Sequence, residues 1–348
     1  ILYSLLIFIC SSGLNATNTD AINRQKVVKR NNPHITQIDT LASLSVGNGN
    51  FAYTVDVTGL QTFPDVYRSG VPLGTQSQWG WHSFPNTENY KLEETFNQYD
   101  FGRGRLESYP VVSSEDPRRR AAANFLRADA HRLHLGIVGY EITDDKQQIM
   151  GVDAVSGIDQ TLDLWRGVIS SRSKVLNQPV FTETVCHLNE DMIAAKVSSP
   201  LFKEGKLKIK LHCPYPTGQN TDDPCDWNAT DKQTTLIRKQ GDNFAVLERI
   251  LDDTQYYVRV DWTGKAKLSK KEDHYFLLIP ESDGLSFLVA FSTDKPVRSS
   301  ETFDKILAES SNYWEKYWQN GGFIDLGESS DIRAKELERR IILSQYLM

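Results

Sequence analysis

An aromatic segment near residue 80 offers the clearest chemistry in the sequence. Residues 76–85 read QSQWGWHSFP, which places Trp79, Trp81 and His82 within four positions. Sugar rings pack their apolar C–H faces on aromatic rings, and Gln78 and His82 can supply partners for the hydroxyl groups. The segment is predicted to be a substrate-binding loop for a carbohydrate. The alternative is that both indoles fill the core beneath the loop.

The other clusters of polar residues are predicted to lie in turns or strands and not to form phosphate-binding or metal-binding sites. Residues 47–49 (Gly-Asn-Gly) precede a strand pattern, whereas a phosphate-binding loop precedes a helix, so they predict a turn. His131 and His134 are three residues apart and would lie on opposite faces of a strand. Residues 226–231 lack the glycine and the final glutamate of a calcium loop. We therefore expect no metal site and no cofactor.

No catalytic residue is assigned. Glycosidases use two carboxyl groups that flank the scissile bond. Asp and Glu total 45, but no spacing marks a pair, and no nucleophile elbow is present.

The elements that would position the loop are mainly short strands. From Ser45 to about residue 293, alternating apolar runs are separated by Gly, Asn, Asp and Pro, which indicates an antiparallel structure. The acidic pair 252–253 predicts one hairpin turn, and residues 281–284 predict another between two final paired strands, 274–279 and 285–291. The length favours a large two-sheet β-sandwich over residues 40–297.

Helices are predicted after the sandwich. Ser300 is expected to cap a helix that ends at Gly321. A second helix runs from about Ser330 to Met348 with apolar residues at three- and four-residue steps. Residues 298–348 are thus predicted as a helical linker and the start of another helical region.

Charge and hydropathy exclude two classes of partner. The net charge is −6, which argues against nucleic-acid binding. The basic cluster 118–120 follows two acidic residues and is predicted to be a solvated loop or a helix start. Residues 1–10 are almost wholly apolar, but this run is about half the length of a membrane span. We interpret residues 1–16 as an incomplete signal peptide and residues 17–39 as an N-terminal extension. Export, most simply to the periplasm, follows, and lipoprotein anchoring at Cys10 is the alternative.

Three cysteines remain after the signal segment, at positions 186, 213 and 225. Cys213 and Cys225 flank a turn-rich loop and are the only pair that could form a disulfide in an oxidising compartment. The alternative, to which the sequence gives equal support, is that all three cysteines are buried free thiols.

Three stretches together resemble one known group of enzymes. They are LSVGNGNFAYTVDVTGLQTFP (44–64) with TQSQWGWHSFPN (75–86), HRLHLGIVG (131–139) with LDLWRG (162–167), and SDIRAKELERRIILSQYLM (330–348). They resemble the N-terminal part of six-hairpin glycosidases similar to glycoside hydrolase family 65, of the type found in Bacteroidetes.

The resemblance implies an N-terminal β-sandwich, a helical linker and an α/α barrel. It implies an inverting α-glucoside hydrolase or phosphorylase acting on an oligosaccharide, with its catalytic groups in a barrel beyond Met348. The chain would then be a non-catalytic fragment whose partner is its own missing barrel. The alternative is a stand-alone carbohydrate-binding or structural sandwich.

Overall fold

The computed structural model describes residues 22–219, 223–296 and 300–348. The predicted signal peptide and the predicted sandwich boundary near residue 297 lie outside these ranges. Within them, the strands are β1 (His34–Ile35), β2 (Leu44–Gly47), β3 (Phe51–Val55), β4 (Thr75–Ser77), β5 (Trp81–His82), β6 (Phe96–Asp100), β7 (Leu106–Pro110), β8 (His131–Arg132), β9 (Ile137–Ile142), β10 (Val155–Asp163), β11 (Val168–Val175), β12 (Gln178–Cys186), β13 (Met192–Ser198), β14 (Leu207–His212), β15 (Tyr215–Pro216), β16 (Cys225–Asp226), β17 (Gln233–Gln240), β18 (Phe244–Leu251), β19 (Thr254–Thr263), β20 (Ala266–Glu272), β21 (Tyr275–Pro280) and β22 (Gly284–Ser292).

The α-helices are α1 (Arg24–Arg30), α2 (Pro64–Tyr67), α3 (Pro117–Ala128), α4 (Phe303–Gln319) and α5 (Ala334–Leu347). None of them is both long and apolar enough to cross a membrane.

Two antiparallel sheets form the body of the protein. The larger has nine strands in the order β1-β10-β11-β12-β13-β22-β19-β18-β17, and the smaller has four in the order β20-β21-β14-β9. One hydrophobic core contains residues of both sheets, and the Tyr140 hydroxyl bonds the Thr182 hydroxyl at 2.7 Å between them. The predicted antiparallel two-sheet sandwich is confirmed.

Alternation predicts individual strands well. On β14, Leu207, Ile209 and Leu211 are buried and alternate with partly exposed residues. β18 and β19 form the predicted hairpin, with Leu251 paired to Thr254 across the acidic turn.

The predicted pairing of the last two strands is wrong. β21 pairs with β14 and β20 in the small sheet, whereas β22 pairs with β13 and β19 in the large sheet. The turn at 281–284 therefore carries the chain from one sheet to the other. Alternation shows which face of a strand is apolar, but it does not show its neighbours.

Helix α4 packs on the outer face of the large sheet. α4 places Phe303 and Ile306 on an apolar patch that includes Val185 and Leu288. Its cap is Thr302, whose hydroxyl accepts from the Lys305 N–H, and not the predicted Ser300.

α5 joins the main core through Ile342 and Tyr346. α1, inside the predicted N-terminal extension, also contributes: Val27 and Val28 are fully buried, and Arg24 donates to the Trp318 carbonyl at the end of α4.

Residues 83–130 form an insertion between the paired strands β5 and β8. It contains the β6–β7 hairpin and α3. The α3 N-cap is Asp116, whose carboxylate accepts from the Arg118 and Arg119 N–H groups. Arg119 also donates to the Glu94 and Phe96 carbonyls at the base of the hairpin. The Arg118 guanidinium donates to the Glu94 carboxylate. The basic cluster is thus a helix start, and Arg118 and Arg119 connect α3 to the residues before the hairpin.

Candidate functional site

The predicted sugar-binding loop connects β4 to β5 at one end of the sandwich. β5 pairs with β8, so that Trp81 lies opposite Arg132 and His82 opposite His131. The Gln78 N–H donates to the Asn50 carbonyl at 2.8 Å. The loop is therefore held by β8 on one side and by the turn between β2 and β3 on the other.

Trp81 and Gln78 face the solvent together. Trp81 is 47% exposed, and its indole N–H donates to the Gln78 carbonyl at 3.1 Å. The Arg132 guanidinium lies 4.2 Å from the centroid of the Trp81 ring. A cation over one ring face stabilises the ring orientation. This group presents an aromatic surface, an amide and a guanidinium, which are suitable contacts for sugar hydroxyls and C–H faces.

Trp79 faces inward. Its indole N–H donates to the Asp191 carboxylate at 2.5 Å, and the same oxygen accepts from the Ser77 hydroxyl. The Trp79 ring packs 5.8 Å from the Tyr256 ring, in contact with the main core. Trp79 thus ties the loop to the large sheet, as in the core alternative, while Trp81 does not.

His82 is fully buried behind the loop. Its Nδ1 lies 2.9 Å from the Thr254 hydroxyl, and its Nε2 lies 3.2 Å from the Asp252 carboxylate, although this contact is poorly aligned for a hydrogen bond. The Tyr215 hydroxyl donates to the same carboxylate at 2.6 Å. Burial lowers the pKa of His82, and the attraction of Asp252 opposes this only in part.

The ring of His82 therefore contacts protein and stays neutral at pH 7. In this conformation it supports the strand that carries Trp81 and is not itself open to a ligand. The structure thus brings Trp81 and Gln78 together at the surface and places Trp79 and His82 inside.

His131 and His134, which were predicted to lie on opposite faces of a strand, have different contacts. His131 is packed near Phe84, at 6.1 Å between ring centroids, whereas His134 lies 3.1 Å from the Leu73 carbonyl through Nε2. They lie in different surroundings.

Cys213 and Cys225 are free thiols in this structure, as is Cys186. Cys213 lies against Gly136, where an added Cβ would come within 3.1 Å of its sulfur. Cys225 lies on the short β15–β16 hairpin, close to the Asp223 carboxylate. Burial raises the pKa of both thiols. The disulfide alternative is not realised here.

One group of potential metal ligands occurs among the described residues: His187, Glu301 and Glu309. Nδ1 of His187 accepts from the Asn189 and Glu190 N–H groups. The ring proton is therefore on Nε2, which can donate to a carboxylate but has no lone pair for a metal. Glu301 is also paired with Lys305. We interpret these three side chains as held by their own contacts with the protein: His187 with the Asn189 and Glu190 N–H groups, and both glutamates with Lys305.

Sequence reasoning missed the partners that decide the role of each loop residue. Arg132, Asp191 and Asp252 lie 51, 112 and 170 positions from the residues they contact. A second aromatic group was missed as well: Tyr99 and Phe101 contact Tyr109 on one face of the β6–β7 hairpin, at about 6 Å between centroids. Its i, i+2 spacing on a strand was the available signal.

Comparisons with known proteins support the fold. A putative kojibiose phosphorylase from the human microbiome superposes with a TM-score of 0.51 and 10% identity over 91% of this chain. This chain covers 42% of the length of that protein. At this identity the similarity shows a shared fold and nothing about substrate.

A family GH92 α-mannosidase from Bacteroides thetaiotaomicron, with and without mannoimidazole, aligns at a TM-score of 0.29 and 9% identity over 62% of this chain. These scores are too low to establish a common fold. No protein-family model matches the chain, and no curated protein matches it.

Proposed function

We propose that this chain is the N-terminal, non-catalytic part of a secreted carbohydrate-active enzyme that degrades α-glucosides. The observation that carries the proposal is the fold: a two-sheet sandwich with helices packed on it, shared over 91% of the chain with the putative phosphorylase. The three sequence stretches that resemble family 65 glycosidases point to the same group.

The reaction is an inverting hydrolysis or phosphorolysis of an α-glucosidic bond in an oligosaccharide. Its general acid, and its base or phosphate site, would lie in an α/α barrel beyond Met348, so no residue of this chain is assigned a catalytic role. Export to the periplasm follows from the apolar N-terminal segment.

The contribution of this chain to substrate binding is made by the Trp81 loop. Trp81 and Gln78 would contact a sugar, while Trp79 and His82 hold the loop from behind. The open ring of Trp81 supports this assignment, because a large aromatic side chain that is 47% exposed and fixed by Arg132 is preorganised for a partner.

A stand-alone carbohydrate-binding or structural sandwich is the second candidate. It draws support from α4 and α5, which bury Trp318, Ile342 and Tyr346 against the sandwich. α4 and α5 therefore already bury an apolar face against the sandwich, without contacts from a further domain.

Activity measurements separate the two candidates. Purified chain and the full-length gene product are assayed for glucose release and for phosphorolysis with α-linked glucose disaccharides. We expect activity only in the full-length protein. Trp81→Ala there should lower kcat/KM about three- to tenfold with little change in melting temperature.

Two results would contradict the proposal. Hydrolysis by the purified chain itself would place catalytic groups within these residues. A full-length product that ends at Met348, binds sugars and shows no turnover would favour the stand-alone candidate.

A further inference from the structure

The β6–β7 hairpin presents three aromatic rings to solvent. Within the described residues, its two strands pair only with each other, and the cross-strand register places Tyr99 and Tyr109 on one face. Tyr99, Tyr109 and the adjacent Phe101 are 43%, 49% and 60% exposed. Aromatic side chains usually bury most of their surface, so three of them together on one exposed face indicate a binding surface.

The rings form one continuous patch. The Tyr109 ring contacts both of the others, with centroids 6.1 Å from Tyr99 and 6.0 Å from Phe101. Both contacts are edge-to-face, at interplanar angles of 69° and 61°. An edge-to-face contact covers at most one face of a ring, so other ring faces stay open to a ligand. The two phenol hydroxyls add a donor and acceptor each.

The hairpin is held in a defined shape. Arg119 of α3 donates to the carbonyl of the first β6 residue at 2.7 Å and holds the base. At the tip, the Phe101 N–H donates to the Arg105 carbonyl at 2.9 Å. Gly102 and Gly104 have φ angles of 83° and 76°, a conformation that favours glycine. A surface that is ordered before the ligand arrives loses less conformational entropy on binding.

The charged groups beside the rings compensate each other. Arg105 and Glu107 pair at 3.0 Å, and the Arg105 guanidinium lies 5.9 Å from the centroid of the Phe101 ring. This pair adds no net charge to the patch, so the rings select the ligand. A neutral sugar fits them because its apolar C–H faces pack on aromatic faces, while its hydroxyl groups can reach the phenols.

The size of the face argues against a second copy or another protein as the partner. A stable protein interface takes about 20–30 residues from each side. Each strand of the hairpin has five residues, and only alternate residues lie on the aromatic face. Three adjacent rings instead match the dimensions of one or two sugar units.

We propose that the aromatic face of the β6–β7 hairpin is a second carbohydrate-binding surface, which takes one or two neutral sugar units and is distinct from the Trp81 loop. The choice of a glucose-based ligand rests on the proposed function, whereas the site itself rests on the three exposed rings. Such a surface would hold an oligosaccharide on the enzyme without contributing to bond cleavage.

Calorimetric titration of the purified chain tests this. Maltotriose and cellotriose are the neutral probes, and trigalacturonate is the charged control. All variants carry Trp81→Ala, which removes the loop site. Tyr109→Ala removes the ring that contacts both others, and Phe101→Ala removes the most exposed of the three. Tyr313→Ala, at a comparably exposed position on α4, is the matched control.

We expect at least one neutral trisaccharide to bind in the Trp81→Ala background and trigalacturonate not to bind. Tyr109→Ala and Phe101→Ala should each weaken that binding about three- to tenfold. Their melting temperatures should not change, because both side chains are exposed. Tyr313→Ala should leave the affinity unchanged.

The hairpin site is rejected if no neutral trisaccharide binds in this background, if neither ring variant weakens binding, or if trigalacturonate binds equally well. Sedimentation velocity tests the protein alternative: a wild-type dimer that Tyr109→Ala converts to a monomer would overturn the proposal, because the rings would then contact a second copy. A rejected hairpin site with a Trp81-dependent kcat/KM in the full-length enzyme leaves the proposed function standing. Binding at the hairpin without that dependence supports the second site and counts against the Trp81 loop.

Discussion

Acidification to pH 4.5 should destabilise this protein through its buried and partly buried histidines, and the partly buried His212 allows the size of the effect to be calculated. His212 lies on β14, with its ring 4.4 Å from Trp227 and 4.8 Å from Tyr275. Burial, together with the nearby Lys210, His274 and Arg249, lowers the pKa of His212 to about 3, and burial is the largest cause.

The unfolded chain binds a proton at His212 near pH 6.5, whereas the folded protein does not until about pH 3. Stability is therefore complete above the unfolded pKa and is lost as the pH falls below it. Between pH 7 and 4.5 the linkage amounts to about 2.5 kcal/mol for this residue. The pKa values of His82, His131, His134 and His274 are lowered by burial as well, so they act in the same direction.

Urea unfolding followed by tryptophan fluorescence, at constant ionic strength, measures this loss. Most carboxylates titrate below this window, so the histidines dominate it. His212→Gln removes the titrating group and should reduce the loss of unfolding free energy between pH 7 and 4.5 by about 2 kcal/mol. His34→Gln, at an exposed position, is the matched control for substituting a histidine.

Equal pH dependence in the wild type and in His212→Gln would refute the reasoning. It would mean that His212 is protonated in the folded protein at pH 4.5, and hence that its ring is reached by water.

Three further experiments, two of them with a matched control substitution, test the packing. Trp79→Ala should lower the free energy of unfolding by about 3 kcal/mol, because the Trp79 ring packs on the core. Trp81→Ala should lower it by less than about 1 kcal/mol. Similar losses for the two variants in urea unfolding would contradict the inward role of Trp79 and the exposed role of Trp81. Glu338→Ala should lower the free energy of unfolding by about 2–4 kcal/mol and increase amide exchange in α5, because the Glu338 carboxylate is buried and paired with the partly exposed Arg30. Unchanged amide exchange would mean that this ion pair does not hold α5 in place. Gly139→Ala should destabilise by more than about 2 kcal/mol, because its Cβ would lie 2.1 Å from a backbone carbonyl oxygen, while Gly151→Ala, with open space, should leave the unfolding midpoint unchanged.

The fold class could be predicted because it depends on local pattern. Alternating apolar residues on β14 and the acidic turn between β18 and β19 each require only a few neighbouring residues to be recognised. The change to helices after residue 300 is equally local. These features fix which side of a strand or helix is apolar, and that is sufficient to indicate a sandwich followed by helices.

Strand neighbours and the roles of the loop residues were decided only by the tertiary structure. β21 and β22 are adjacent in sequence but lie in different sheets, because each joins partners that formed elsewhere in the chain. The polar segment before residue 32 contains a helix whose valines are fully buried, because the C-terminal helices lie over it.

Trp79 and Trp81 show the limit most clearly. The sequence placed two indoles in one loop and determined that aromatic surface would be available there. Which indole is buried depended on an aspartate 112 positions from Trp79 and an arginine 51 positions from Trp81. Burial is a property of long-range contacts, and neither composition nor spacing specifies which distant residue will provide them.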